Sequence, residues 1–326
     1  MNIEEFEEIF KKKLIRAGRY FVVQDDKFPT LFIDLDQETY TDFKNGRSGE
    51  LYELKYEEPL IYTKEQMRML KLNSEAAKFF HNNIHSVMEY CKKRELNLKD
   101  IETFYLGGTG KGLYRYLKEH GFIRKEMIDA GLFKEKDGKL KDTFWNRLIF
   151  PIRDKVGNII AFGGRSINKD DLCKYINTAE TEVFSKRNNL FMYDVAHNAP
   201  CKAYILCEGY MDVLTMHKNG FINTVASLGT SLTREQAHML QDKNKVYIMY
   251  DSDAAGIKAA KRAVSMINTE VKIVSLSPAK DPDEFLVKFG RSAMLERLKC
   301  AQDGRTFLLE HYEKGDEELI EKILSA

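Results

Sequence analysis

The chain is poor in the residues that build covalent or thiolate cross-links. Its five cysteines, Cys91, Cys173, Cys201, Cys207 and Cys300, include no Cys-x-x-Cys pair. That excludes a disulfide framework and a cysteine zinc site as organising devices. No apolar run approaches the roughly 20 residues that cross a bilayer, so no membrane is expected as a partner. Met1 is followed by acidic residues in place of a basic, apolar leader, so no secretory signal is expected and a reducing cytoplasm is the natural setting. Charge of one sign is missing as well: 51 Lys and Arg against 50 Asp and Glu leave a net +1. Any nucleic-acid surface therefore has to be local. What remains is a globular composition, 43% apolar over 326 residues, long enough for two or three modules.

Acidic residues follow apolar runs in a repeated way. Tyr204-Ile-Leu-Cys ends in Glu208-Gly209, and Val246-Tyr-Ile-Met-Tyr ends in Asp251-Ser252-Asp253. Both runs read as buried strands, and a helical pattern follows each. Open parallel sheets place ligand sites at the carboxyl ends of their strands, which brings these acids to one edge. A third strand, Val271–Leu276, precedes Asp281-Pro282-Asp283. Pro282 keeps Asp281 extended, so both aspartates are expected to face the same pocket. Carboxylates crowded at one edge repel unless a cation joins them. Hard oxygen ligands suit Mg²⁺ or Mn²⁺. Gly209, lacking a Cβ, would let phosphate or metal approach the backbone.

The glutamate word and the Asp-x-Asp word resemble the Toprim domain, the catalytic module shared by primases, topoisomerases and some nucleases. Phe150-Pro-Ile-Arg-Asp154, Ala161-Phe-Gly-Gly-Arg165, Lys174-Tyr-Ile-Asn177, Glu208-Gly-Tyr-Met-Asp212 and Ala226-Ser-Leu-Gly-Thr230 resemble, in order and spacing, the core of bacterial DnaG-type primases. The resemblance covers roughly residues 70 to 290. It implies synthesis of short RNA primers on single-stranded DNA from ribonucleoside triphosphates, with two or more Mg²⁺ or Mn²⁺ ions. Glu208 would be general acid/base or metal ligand, and Asp251 and Asp253 metal ligands. Asp281 and Asp283 would complete the second ion's shell, with Asp212 as a further ligand. Tyr210, beside the motif, is not expected to be a covalent nucleophile.

Between Arg147 and Arg187 the cations outnumber the acids, as a groove tracking a phosphate backbone requires. Arg147–Arg153 and Asn158–Phe162 predict a hairpin around Asp154-Lys-Val-Gly157. Gly163-Gly164 would let the backbone pass close to something, and Arg165 beyond them could fork onto a phosphate. The primase resemblance implies that Arg147, Arg165, Lys174 and Lys186 line the surface for template or nucleotide.

Residues 1–65 resemble the zinc-ribbon module that precedes the primase core. In that family cysteines flank a Phe-Gly pair; here the corresponding positions are Asp42 and Asn45, and no cysteine precedes Cys91. A module without zinc is expected. Phe80, Ile84, Val87, Met88 and Cys91 predict one apolar helical face. Helices ending at Gly121 and Gly131 are predicted from their capping glycines. His81 and His85 have helical zinc spacing, but Asn82 stands where a glutamate base would, so both are read as ordinary helix residues. Gly107-Gly108-Thr-Gly-Lys-Gly112 does not have phosphate-loop spacing and is expected to be a mobile loop.

The expected fold is α/β: a Toprim-type, mostly parallel sheet with flanking helices (201–290), preceded by a mixed α+β subdomain with the basic hairpin (70–200) and followed by a short helical segment (291–326). Leu308, Leu309, Tyr312, Leu319, Ile320 and Ile323 would pack that segment back on the core, and no helicase-docking domain is expected. Two expectations stay open, a compact primase of a mobile element or phage and a fragment of a longer chain, with the first slightly favoured. The rivals are a Toprim nuclease of DNA or RNA and a non-catalytic single-strand-binding relative; the words from Phe150 to Lys186 favour the primase.

Overall fold

The computed structural model describes residues 3–10, 13–24, 29–42, 47–51, 60–168, 170–229 and 231–311. The chain divides into two units, Met1–Tyr62 and Thr63–Ala326.

In the first unit, α1 (Ile3–Phe10) precedes β1 (Leu14–Ala17), β2 (Tyr20–Val23), β3 (Leu31–Asp34), β4 (Thr39–Asp42) and β5 (Arg47–Glu50). The strands form an antiparallel meander in chain order. Gly18, at φ +67°, makes the turn from β1 to β2, a backbone region that favours glycine. Phe6, Ile33 and Leu51 are buried at its centre. The buried carboxylate of Asp34 accepts from the Arg19 guanidinium at 2.7 Å. Asp42 ends β4, paired with Arg47 of β5; Asn45 lies outside the described residues.

The second unit opens with α2 (Lys64–Asn82). Thr63 and Gln66 cap it reciprocally, each side chain bonding the other's backbone N–H, which satisfies two of the helix's unpaired donors. The single apolar face predicted from Phe80 to Cys91 is divided: Phe80 is buried in one core and Val87 and Cys91 in another, and the helix is not continuous. It breaks at Asn83, whose side chain donates back to Phe79 O at 2.7 Å; a 3₁₀ turn, Ile84–Val87, and α3 (Met88–Lys93) follow.

After α4 (Leu98–Phe104), Gly107 and Gly108 form β6, buried and paired with the strand that starts at Arg147. These two residues are therefore not a mobile loop. A Cβ on Gly107 would lie 2.5 Å from Phe80 Cβ, and one on Gly108 2.4 Å from Ser86 Oγ. α5 (Leu113–Glu119) and α6 (Arg124–Asp129) end at Gly121 and Gly131, both at positive φ. In each case the residue after the glycine bonds back to the last full turn, at Leu117 O and Met127 O, the Schellman pattern.

β7 (Phe133–Lys136) and β8 (Lys139–Asp142) make a small hairpin. The predicted basic hairpin is β9 (Arg147–Arg153) with β10 (Ile159–Ser166), followed by β11 (Tyr175–Asn177). Their sheet has the order β11-β10-β9-β6. Asp154 Oδ1 accepts from Val156 and Asn158 N–H, both at 2.9 Å, and fixes the turn.

Next come β12 (Leu190–Phe191), α7 (Tyr193–Asn198), β13 (Ala203–Cys207), α8 (Tyr210–Lys218), β14 (Thr224–Ser227), α9 (Arg234–Met239), β15 (Lys245–Met249), α10 (Ala254–Val264), β16 (Glu270–Ile273), α11 (Pro282–Lys299), β17 (Gln302–Asp303) and α12 (Gly304–Glu310). The six-stranded sheet has the order β12-β14-β13-β15-β16-β17. Its four inner strands are parallel and the two edges antiparallel.

Alternation along β13 explains the two layers. Ile205 and Cys207 join a core with Val213, Leu214 and Phe285 of α8 and α11. Tyr204 and Leu206 join another with Ala260, Val264 and Phe307 of α10 and α12. The first of these cores also holds Cys91, Leu148 and Phe150, so hairpin and parallel sheet share one interior. Leu308 is buried and Leu309 is exposed; Tyr312, Leu319, Ile320 and Ile323 fall outside the described residues. Among the described residues no helix is long and apolar enough to cross a membrane.

Candidate active site

The register of β13 on β15 opposes Cys207 to Met249, so the residues that follow leave the sheet side by side. Glu208 Oε1 accepts the Asp251 N–H at 3.1 Å. Asp253 caps α10, accepting the Gly256 N–H at 2.9 Å. A Cβ on Gly256 would stand 2.0 Å from Asp251 O, so glycine there lets the acidic loop lie flat on the first helical turn.

Asp281 is extended, as predicted, and caps α11 with Pro282 in the first turn; its side chain accepts from Glu284 N–H at 2.8 Å. Asp283, two residues on, acts together with Asp281 on the buried Asp212 carboxyl. It also accepts from the Thr215 hydroxyl at 2.5 Å and lies 3.6 Å from the Arg94 guanidinium. It lines a cavity of about 380 Å³ with Lys93, Thr215 and Lys218.

Asp212 is buried in the first turn of α8 and accepts the Gly209 N–H at 3.2 Å. Its carboxylate occupies the space a Cβ on Gly209 would need. The room that glycine leaves is thus taken by a side chain of this chain.

The electrostatics follow from this crowding. Burial, then Asp281, Asp251 and Asp283, push the Asp212 carboxyl well above its usual range. Burial also raises Glu208, with Asp251 and Asp253 adding to the rise. Burial raises Asp251, while Lys280, 3.6 Å away, pulls it back. This excess of negative charge is the donor chemistry a hard cation fits. Among the described residues no three acidic, histidine or cysteine side chains converge on one point. A cation here would take one or two carboxylates and complete its shell from water or phosphate, as Mg²⁺ does.

The cations expected beside the acids separate into two kinds. Arg165, half-buried on β10, bonds the Tyr175 hydroxyl and stacks 4.7 Å over its ring. Lys174 and Lys186 are exposed. Arg147 is only 6% exposed. Its guanidinium donates to the carbonyls of Gly164, Cys173 and Lys174 and to Asp171. It therefore braces the 171–174 loop from beneath instead of lining the surface.

What the Gly163-Gly164 pair approaches is protein: Tyr210 at Gly163, and Phe144 and Arg147 at Gly164. Tyr210 is buried against Phe150, Tyr175 and Phe191, and its hydroxyl donates to Asn177 Oδ1 at 2.7 Å. His81 Nδ1 donates to Leu106 O, its ring stacks on Tyr105, and His85 is exposed.

One residue escaped the sequence reading. Arg94 donates to Tyr90 and faces Asp283, and Arg165 lies over the same Tyr90 ring, 5.8 Å from its centroid. The pair links acids to basic face. The available signal was only three consecutive cations, Lys92-Lys93-Arg94, ending a helix.

A family model of the DNA primase catalytic core, N-terminal domain, matches residues 75–197, and a Toprim-like model matches 205–286. The DNA primase of Clostridium acetobutylicum is 32% identical over 333 residues, which span 89% of this chain and 56% of that protein. The chain thus spans about half the length of the curated relatives it matches. The zinc-binding and RNA polymerase domains of the Aquifex aeolicus primase superimpose with a TM-score of 0.71 at 27% identity, over 99% of this chain and 88% of that one. A DnaG primase catalytic domain bound to single-stranded DNA gives 0.69 at 31% identity, over 76% of this chain and 83% of that one. The order of the two family models and the match across most of that catalytic domain agree with the acidic edge and hairpin described above: the chain belongs to the bacterial DnaG-type primase family.

Proposed function

We propose that the chain synthesises short RNA primers on single-stranded DNA for replication. A primer 3′-hydroxyl, or that of the first nucleotide, attacks the α-phosphate of an incoming ribonucleotide, and pyrophosphate leaves. Divalent ions, Mg²⁺ or Mn²⁺, would polarise the phosphate and absorb developing charge when bound. Asp251 and Asp253 would hold them, with Asp281 at the rim. Glu208 Oε1 is tied to the Asp251 N–H, so Oε2 is the oxygen for an ion or for the attacking hydroxyl's proton. Asp212 supports the turn from beneath, and Asp283 positions Arg94. Arg165, Lys174 and Lys186 would hold template or nucleotide phosphates.

The observation that carries this reading is the placement of Glu208 beside Asp251 at the carboxyl edge, with Arg94 and Arg165 sharing Tyr90 next to it. It is supported by the likeness to a primase catalytic domain bound to single-stranded DNA. The test is a single-stranded template with labelled ribonucleotides and Mg²⁺ or Mn²⁺, products resolved by size. A ladder of short RNA that vanishes in Asp251→Asn is expected. Shortening of the template without RNA would replace this reading with a hydrolytic one.

We read residues 1–65 as a zinc-free counterpart of the primase zinc module. The alignment to a structure that includes a zinc-binding domain, over 99% of this chain, and the lack of any cysteine before Cys91 support this. Metal analysis of the purified protein should find no stoichiometric zinc; one zinc per chain, lost on unfolding of this unit, would overturn it.

A further inference from the structure

We propose that Lys280 is a resident counter-ion, which holds the place of a divalent cation at the acidic edge and passes to the nucleotide's phosphates when that cation arrives. This rests on the divalent-ion reading above. The backbone of Lys280 is fixed on both sides. Its carbonyl accepts the Ser252 N–H at 3.1 Å, and its N–H donates to Glu284 Oε2 at 2.8 Å. Ser252 sits between Asp251 and Asp253, so the Lys280 Cα is tied directly to the acidic loop. The side chain is not tied. It is 63% exposed, and its Nζ lies 3.6 Å from Asp251 Oδ2, an ion pair beyond hydrogen-bond length.

Among the described residues no other Lys or Arg makes an ion pair with Glu208, Asp251, Asp253 or Asp281; Arg94 serves Asp283. A single loosely held positive charge thus offsets part of the repulsion that the acids exert on one another.

Two opposite effects follow. A dication arriving alone must displace the ammonium from Asp251, which weakens its binding. A dication arriving with a triphosphate brings a new acceptor for the displaced ammonium, since a Lys stem on a fixed Cα can swing from carboxylate to phosphate. The cation therefore loads with the nucleotide in preference to loading before it.

The experiment is a Mn²⁺ titration of the whole chain followed by electron paramagnetic resonance, first without nucleotide and then with ATP. Wild type, Lys280→Ala, Lys280→Arg and Asp251→Asn are compared, with circular dichroism confirming the fold. Without nucleotide, Lys280→Ala should bind Mn²⁺ about threefold to tenfold more tightly, the scale of one nearby surface charge acting on a dication. Lys280→Arg should stay with the wild type. With ATP present, Lys280→Ala should bind the nucleotide several-fold more weakly. Unchanged or weaker Mn²⁺ binding in Lys280→Ala overturns the inference. If Asp251→Asn weakens Mn²⁺ binding in the same series, only the role of Lys280 has failed. If Asp251→Asn leaves it unaltered, the divalent-ion reading falls and the inference falls with it.

Discussion

The Cζ of Tyr210 lies 2.6 Å from the point a Cβ on Gly163 would occupy. Tyr210 begins α8 on the parallel sheet and Gly163 lies in the basic hairpin, so the hairpin reaches its place by pressing bare backbone onto a tyrosine ring. Gly163→Ala should destabilise the protein by about 1–3 kcal/mol through overpacking, measured by chemical denaturation. Equal stability would show that the ring can move aside. Tyr210→Phe keeps the ring and loses only the bond to Asn177, so it should cost about 1 kcal/mol and retain synthesis. Loss of synthesis in a folded Tyr210→Phe protein would give the phenol a chemical role.

The acids should divide by position. Asp251→Asn, Asp253→Asn and Glu208→Gln should each lower primer synthesis on the order of 100-fold or more, since each removes charge from the reacting edge. Asp212→Asn should behave differently. Its carboxyl is buried and held well above the usual range, while an amide oxygen can still accept from Gly209. In chelator-treated protein it should raise stability by about 1 kcal/mol. A lower melting temperature for Asp212→Asn under those conditions would contradict the crowding.

The cations should divide too. Arg165→Ala and Lys174→Ala should each weaken single-strand binding and reduce the slope of log affinity against log salt by about one. Arg147→Ala should leave that slope alone and cost about 2–3 kcal/mol of stability, because it strands Asp171 and three carbonyls. A reduced salt slope in a fully stable Arg147→Ala protein would return this residue to the binding surface.

What the sequence made legible was whatever depends on local pattern. Strand, acid and helix-sized spacer recur, so the edge bearing Glu208, Asp251 and Asp253 could be read without a structure. The capping glycines at 121 and 131 were legible for the same reason. What stayed hidden depends on residues far apart in the chain. Arg147 looks like any surface cation until β10 and the 171–174 loop close over it. Gly107-Gly108 looks like a loop until Phe80 and Ser86 crowd it. The partners of Asp283 across the fold, Thr215 and Arg94, leave no local pattern that would announce them.

His217 supplies a pH dependence. It is buried on α8 and donates from Nε2 to Thr224 O at 2.8 Å. Burial lowers its pKa below the ordinary 6.5. A group depressed on folding contributes stability above its unfolded pKa and withdraws it as pH falls toward the folded value. The protein should therefore lose stability as pH drops below about 6.5, by at most about 1.4 kcal/mol per pH unit from this residue. His217→Gln should flatten that part of the curve. An identical slope in wild type and His217→Gln would assign the dependence elsewhere.

The two outer strands of the parallel sheet come from outside the stretch that the Toprim-like model covers. Leu190–Phe191 precedes residues 205–286, and Gln302–Asp303 follows them. Each runs antiparallel to its neighbour and closes that margin of the sheet. A graft of 205–286 into another protein would carry two raw margins, Thr224–Ser227 and Glu270–Ile273, with backbone donors and acceptors free to capture strands from other molecules. The smallest transplantable piece accordingly begins before Leu190 and ends after Asp303.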